Sequence, residues 1–301
     1  MKILLLGHNG QVGWELQRSL VSLGAIHAMA RPEFDLGKFD DVRRLIREIQ
    51  PEVIVNAVAF TAVDKAESEP ELAYQINAQA VGVLAEESLR LNALLVHYST
   101  DYVFDGTGTR PWVESDATGP VNVYGHSKCA GEQLLRQSGC AHLLLRTSGV
   151  YATRGNNFVR TVLRLAMERA ALPMVDDQCG TPTHAGYLAD ITALAIKRIV
   201  ADQESRAALC GTYHMTHRGE VTKYGLARFV VEEALACGAR LALAPAGIAA
   251  ITTAEYPLPA RRPANSRLCV DKIERALDIQ CLDWKAHCRD VVAMLVQGAH
   301  A

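Results

Sequence analysis

Short continuous apolar runs alternate with amphipathic stretches along the first half of the chain. Residues 2–6 (Lys-Ile-Leu-Leu-Leu) read as a buried strand, and 12–23 as a helix ended near Gly24. Residues 26–30 read as a second strand, 40–49 as a helix that stops before Pro51, and 52–56 as a third strand. A long helix is predicted over 70–91, a fourth strand over 94–99, a helix over 127–137 and a fifth strand over 142–146. Strands without polar alternation are buried on both faces. Strand–helix alternation of this kind predicts a parallel sheet covered by helices on both sides.

After about residue 150 the rhythm changes. Helices are predicted over 157–170, 188–201, 222–237 and 282–296, with a strand over 211–215. Residues 245–263 are rich in Pro, Ala and Thr and read as an irregular loop. The expected fold is α/β: a Rossmann-type doubly wound parallel sheet with a smaller, interwoven C-terminal α/β substrate lobe. Residues 1–150 would form the dinucleotide-binding domain and 151–301 mainly the substrate lobe, with no clean linker between them.

The chain has 301 residues, 49% of them hydrophobic, which is enough to bury a sizeable core. A formal net charge of −2 with scattered charges points to neither nucleic acid nor an anionic membrane as partner. No apolar run reaches the roughly 18 residues of a transmembrane helix. Eight cysteines stand without a C-x-x-C pair, and no signal peptide precedes the first strand. They read as reduced thiols of a cytoplasmic protein. Ten histidines lack H-E-x-x-H spacing, so no zinc site is expected.

Three motifs carry chemistry. Gly7, Gly10 and Gly13 follow the first strand as G-x-x-G-x-x-G and open the first helix, where free N–H groups and the helix dipole favour a pyrophosphate. The second strand ends in Ala30-Arg31. An arginine there suits a 2′-phosphate, favouring NADPH with NADH as the alternative. Asp35 and Leu36 lie where they would border the adenine, and Ala57 is small enough to let a cofactor cross the sheet edge. The fourth strand closes in Ser99-Thr100-Asp101. Thr100 is the candidate to bond a substrate carbonyl, with Ser99 as competitor. Tyr124 and Lys128 form a Y-x-x-x-K pair. On a helix they share a face, and the ammonium favours phenolate, easing proton donation by the phenol. Asn77 in the long helix has a structural hydrogen-bonding role as its alternative to catalysis. Cys129 reads as a packed thiol, His126 as solvated, and Trp14 and Trp284 as packing residues.

Together these residues resemble the extended short-chain dehydrogenase/reductase superfamily. The runs 10–17, 61–70, 99–106, 156–158 and 260–268 resemble its dTDP-4-dehydrorhamnose reductase family. The resemblance implies a nicotinamide cofactor and a dTDP-4-keto-6-deoxy-L-hexose substrate reduced at C4. It implies a catalytic set of Thr100, Tyr124 and Lys128. Cofactor contacts would come from Gly10, Gln11, Val12, Asp35, Leu36, Ala59, Phe60 and Thr61, and Lys128 would bond the nicotinamide ribose. Asp101, Gly149, Asn157 and Arg262 fall at substrate positions, Arg262 as a cation for the nucleotide diphosphate. Related dehydratases carry Asp-Glu after the threonine, whereas here Asp101 is followed by Tyr102, which fits simple reduction.

Two departures stand out. The family pattern Thr-Ser-Trp-Val-Tyr reads Thr147-Ser148-Gly149-Val150-Tyr151 here, implying a wider sugar pocket. Some members hold magnesium through glutamates where two subunits meet. Glu15 matches one such position, but residues 183–187 and 294–297 lack the others, so a homodimer is expected without a bridging metal. The alternatives are a reductase or epimerase of another nucleotide-4-keto-deoxysugar, and a non-catalytic NADP-binding regulatory subunit.

Overall fold

A computed structural model describes residues 1–298. At its centre lies a parallel sheet of six strands: β1 (Lys2–Leu6), β2 (Ala25–Met29), β3 (Val53–Asn56), β4 (Leu94–Thr100), β5 (His142–Thr147) and β6 (Gly211–His214). Their spatial order is β2-β1-β3-β4-β5-β6. The chain leaves β1 toward β2 and returns to the other side of β1 as β3. That reversal opens a crevice at the carboxyl ends of β1 and β3, the place where open α/β sheets bind ligands.

Period-two alternation divides the strand side chains between two cores. Ile3, Leu5, Val53, Val55, Leu143 and Leu145 pack on one face against α1 (Gln11–Leu20). Leu4, Leu6, Ile54, Leu95 and Leu144 pack on the other against α2 (Phe39–Ile49). The chain from β3 to β4 holds α3 (Val63–Ser68), α4 (Pro70–Tyr74) and α5 (Ala80–Leu91). The helix expected over 70–91 is therefore interrupted by a π turn, Gln75–Gln79, and α3 was not foreseen. Asn77 lies in that turn. Its amide clamps the Phe60 backbone at 2.8 and 3.0 Å and donates to the Ser127 hydroxyl at 3.0 Å, so its role is structural. π turns accompany such local demands.

The next helix, α6 (Val123–Gln137), begins four residues earlier than expected because Asn122 caps it, accepting from the Gly125 N–H at 2.8 Å. Small residues let α6 approach closely. A Cβ on Gly131 would stand 2.1 Å from the Asn77 carbonyl oxygen.

The second half supplies α7 (Phe158–Glu168), α8 (Ala185–Ile199), α9 (Gln203–Leu209), α10 (Lys223–Ala236), α11 (Asp271–Leu277) and α12 (Trp284–Gly298). Leu188 and Ile196 of α8, with Ile273 of α11, cover the same sheet face as α1, and β6 extends the sheet beyond β5. A separate core joins α7, α10 and α12 through Val159, Val162, Val230, Trp284 and Val292. The run 245–263 is not wholly irregular. Ile248–Ile251 pairs in parallel with Leu172–Val175, since two apolar residues flanking alanines can lie flat against that edge. Trp284 is packed as expected. Trp14 is 51% exposed instead, with the Arg154 guanidinium 3.7 Å above its ring, because its side of α1 faces away from both cores. Among the described residues no helix is long and apolar enough to cross a membrane.

A buried ion pair fastens α6 to β5. Arg146 donates to both carboxylate oxygens of Glu132, at 2.9 and 2.7 Å, and Arg136 adds a third bond at 3.0 Å. Glu132→Gln leaves the Arg146 charge buried without its counterion. We expect it to lower unfolding free energy by about 3 kcal/mol or more in urea titrations, whereas Arg164→Gln on the exposed face of α7 changes it by less than about 0.5 kcal/mol.

Candidate active site

The glycine turn sits at the mouth of the crevice. Gly7 has φ +85° and packs so tightly on the end of β3 that a Cβ would come 2.9 Å from Val58 and 3.1 Å from the Ala57 backbone. A Cβ on Gly13 would lie 2.0 Å from the Gly7 carbonyl oxygen, so only glycine allows α1 to begin against the turn. Gly10 is the N-cap and carries no side-chain cap. Among the described residues the N–H groups of Gln11, Val12 and Gly13 make no hydrogen bond. An uncapped helix start behind a glycine cradle fits a dinucleotide pyrophosphate.

Around this turn the remaining cofactor candidates separate. Arg31 stands at the end of β2, exposed, 3.7 Å from Asp35, and its carbonyl accepts from the Asn9 amide that belongs to the turn. Ala57, Ala59 and Phe60 are half-buried beyond β3, and Thr61 is exposed. Leu36 is 2% exposed within the core over α2, so its side chain serves packing.

A cavity of about 470 Å³ adjoins the crevice. Gln11, Thr61, Thr100, Asp101, Tyr124 and Gly149 all line it. The sheet end supplies Thr100, whose hydroxyl accepts from the Tyr102 N–H at 3.1 Å and donates to Asp101 at 3.0 Å. Ser99 and Thr100 both line the cavity with Tyr124, but the Thr100 hydroxyl is hydrogen-bonded whereas that of Ser99 is buried without a partner among the described residues. The Tyr102 ring meets Tyr124 edge-on at 5.7 Å. Burial pushes the Tyr124 phenol up to about 12, with the Thr100 hydroxyl opposing. The expected lowering by Lys128 is not found. The phenol stays protonated at neutral pH, which suits a proton donor.

Lys128 lies beneath, 1% exposed. Its ammonium donates to the Tyr98 carbonyl at 2.6 Å and contacts His97 Nε2 at 3.1 Å. Burial pulls its pKa down to about 8, with Glu132 opposing. His97 is held well below its ordinary value by burial and by Lys128, and its Nδ1 meets the Asn56 amide at 3.2 Å.

Two substrate candidates are placed differently from the rest. Asn157 caps α7, and its amide donates to Gln11 at 2.9 Å and to the Ala152 carbonyl at 2.9 Å. It therefore positions Gln11, while Asn156 lines the cavity. Arg262 pairs with Asp64 at 2.8 Å, and its side chain is not on the cavity wall. Gly149 has φ +54°, with Pro182 and Thr181 at 3.4 and 3.5 Å from a Cβ position. A Cβ there would make ordinary van der Waals contact, but an L side chain would be strained by the backbone.

The second half adds Cys179 and Lys223, which the sequence did not single out, and Phe158 and Ser266, which lie within the family-like runs 156–158 and 260–268 but were given no site role. Nothing in their local pattern shows that they face the sheet end. Only the weave of the two halves brings them there. Cys129 is a packed thiol bonded to Thr118, and His126 is exposed. Glu15 is half-buried beside Arg18 on α1. Among the described residues no group of three or more His, Cys, Asp or Glu side chains is arranged to hold a metal.

Comparison with known proteins gives one consistent family. Residues 1–297 match the profile described as RmlD substrate binding domain. A dTDP-4-dehydrorhamnose reductase of Burkholderia thailandensis is 47% identical, the alignment covering 95% of this chain and 96% of that protein. The crystal structure of such a reductase from Clostridium acetobutylicum superposes with a TM-score of 0.87 at 30% identity over all of both chains. The structure of the Bacillus anthracis reductase in complex with NADP gives 0.85 at 30% identity, over 96% of this chain and 98% of that one.

Asp101 is 4% exposed, and burial raises its carboxyl to about 6 against the Thr100 and Ser266 hydrogen bonds and the Lys223 charge. The native state thus binds this proton more tightly than the unfolded chain. The associated stability is present at low pH and is lost as pH rises through about 6. Asp101→Asn should therefore be more stable than the parent at pH 7.5, by up to about 3 kcal/mol, with the gain gone below about pH 4. Urea titrations across pH 4–8 read this directly, and a pH-independent difference would contradict it.

Proposed function

This chain belongs to the RmlD substrate binding domain family, and within it we propose that it reduces dTDP-4-dehydro-L-rhamnose to dTDP-L-rhamnose with NADPH, the last step of dTDP-rhamnose synthesis. The observation that carries the reading is the placement of the Tyr124 phenol and the Thr100 hydroxyl in one cavity that Gln11, from the glycine-bounded start of α1, also lines. It accords with the names of the relatives and with the NADP of the Bacillus anthracis structure.

Gly7, Gly10, Gln11, Val12 and Gly13 would hold the pyrophosphate on the uncapped start of α1. Arg31 would meet the 2′-phosphate, and Ala57, Ala59, Phe60 and Thr61 would border the rest. A reduced nicotinamide held there supplies hydride. The substrate carbonyl oxygen gains negative charge as its carbon is reduced. Tyr124 gives that oxygen its proton, so ketone, hydride and proton sum to the alcohol. Thr100 orients the oxygen by turning its hydroxyl proton from Asp101 to the substrate. Lys128, four residues along α6, would bond the nicotinamide ribose and hold a positive charge near Tyr124. The cytoplasm fits this reading, since it supplies NADPH and all eight cysteines are unpaired. Homodimerisation belongs to the same reading.

Two experiments test it. Tyr124→Phe should cut kcat for NADPH oxidation with dTDP-4-dehydro-L-rhamnose by roughly a hundredfold or more while NADPH still binds. Near-normal turnover in that variant would remove Tyr124 from its role. Arg31→Asp should raise KM for NADPH about tenfold and favour NADH, read from steady-state kinetics with each cofactor. An unchanged preference would leave the 2′-phosphate without its partner.

A further inference from the structure

Among the described residues lining the cavity, Lys223 is the one basic side chain. It is the first residue of α10, whose start is capped by Thr222 accepting from the Gly225 N–H at 3.0 Å. Its backbone N–H is fixed on the Gln178 carbonyl at 3.3 Å, so the side chain is launched from a rigid corner of the second lobe. The ammonium lies over the Phe158 ring, 5.0 Å from its centroid. Among the described residues its ammonium makes no hydrogen bond and no ion pair within 4 Å, although the Asp101 carboxylate and the Arg262 guanidinium both act on it through space. A lysine half-buried on the cavity wall and given no protein acceptor keeps its donors unmet at a cost. The cost is recovered when an anion enters and accepts its bonds.

Arg262, by contrast, is already engaged. Asp64 holds its guanidinium at 2.8 Å, and the Asp64 carboxylate also fixes the Ala260 N–H at 3.1 Å, so the pair braces the 260–263 loop.

We propose that Lys223 is the residue that binds the diphosphate of the nucleotide-sugar substrate, the anion meeting it at the second-lobe wall of the cavity. The assignment rests on the nucleotide-sugar reading above. It also separates the two ends of the site: Tyr124 and Thr100 address the ketone, and Lys223 addresses the charged linkage to the nucleotide. Phe158, which also lines the cavity, holds the ammonium at that wall through its ring face.

Isothermal titration of the full chain with dTDP tests this, with NADPH binding followed in parallel as a check on the fold. Lys223→Met should weaken dTDP by roughly tenfold to a hundredfold and flatten the dependence of its affinity on KCl. Lys223→Arg should restore most of the affinity, and NADPH affinity should stay within about threefold in both variants. Parent-like dTDP affinity and salt dependence in Lys223→Met would overturn the proposal while leaving the reductase reading in place. That result, together with weakened binding of a nucleotide sugar carrying a carboxylate on its hexose, would mean that the lysine reads the sugar instead. No measurable dTDP binding by the parent chain, with NADPH still bound, would overturn the proposal and the nucleotide-sugar reading together.

Discussion

The ammonium of Lys128 is the group around which the site has to be built. It is 1% exposed, and a charge removed from water is tolerated only where donors and acceptors replace the solvent. The Tyr98 carbonyl at 2.6 Å is the nearest such acceptor, and it lies just past the end of β3, whose pairing with β4 stops at Asn56 opposite His97. This one bond ties α6 to the carboxyl end of β4. The rest of α6 follows from that placement. Gly131 allows the π turn to come within contact, Ser127 accepts from Asn77, and Glu132 receives Arg146 from β5. Tyr124, one turn toward the helix start, is thereby carried to the cavity beside Thr100.

The polarity of the neighbouring bonds sets the charge state of that ammonium. The Val58 N–H occupies Asn56 Oδ1 at 3.1 Å, so the Asn56 amide nitrogen faces His97 Nδ1. A neutral imidazole that accepts at Nδ1 carries its proton on Nε2, the nitrogen 3.1 Å from Lys128. That arrangement suits an amine better than an ammonium. The opposite tautomer suits the ammonium and gives up the Asn56 bond. The competition acts in the same direction as burial, which brings Lys128 down to about 8, with Glu132 pulling the other way. The residue therefore sits close to the pH at which its charge can change, while Tyr124 above it remains protonated.

Much of this was legible in the sequence, for physical reasons that can be named. The central strands are built on apolar runs such as Ile3–Leu6, Val53–Val55 and Leu143–Leu145, as strands buried on both faces require, while the edge strand β2 is only half-buried. The glycine spacing marks contacts of 2.0 and 2.9 Å that exclude any side chain. The Tyr124–Lys128 spacing survives any uncertainty about helix boundaries, and Asn122 explains why α6 starts before it. What the sequence hid is what depends on non-local contact. Asn157 and Arg262 have the composition of ligand-binding residues, yet one caps a helix and the other pairs with Asp64, 198 positions away. The π turn arises from a clamp between Asn77 and Phe60 that no periodicity reveals. Lys223 looks like an ordinary surface lysine at a helix start until the second lobe folds over the sheet end.

The two sides of the cavity are held by unequal constraints. On the sheet side each reacting residue is coupled to a buried charge or a bifurcated network: Lys128 to Tyr98 and His97, Thr100 to Asp101 and Tyr102. Changing any one of them strands a polar group in the interior at a cost of about 1–3 kcal/mol or more. The far wall is made from a glycine in the left-handed region, two-residue strands and the first turn of α10. Cys179 and Lys223 hang from backbone that is fixed elsewhere, so their side chains contribute little to holding the fold, and Gly149 brings no side chain at all. Under the proposed reading, the wall facing the substrate is thus freer to vary, as at Gly149, than the wall assigned to proton transfer. A departure confined to the weakly coupled side alters the shape and charge that a substrate meets, and leaves the reduction chemistry where the sheet has placed it.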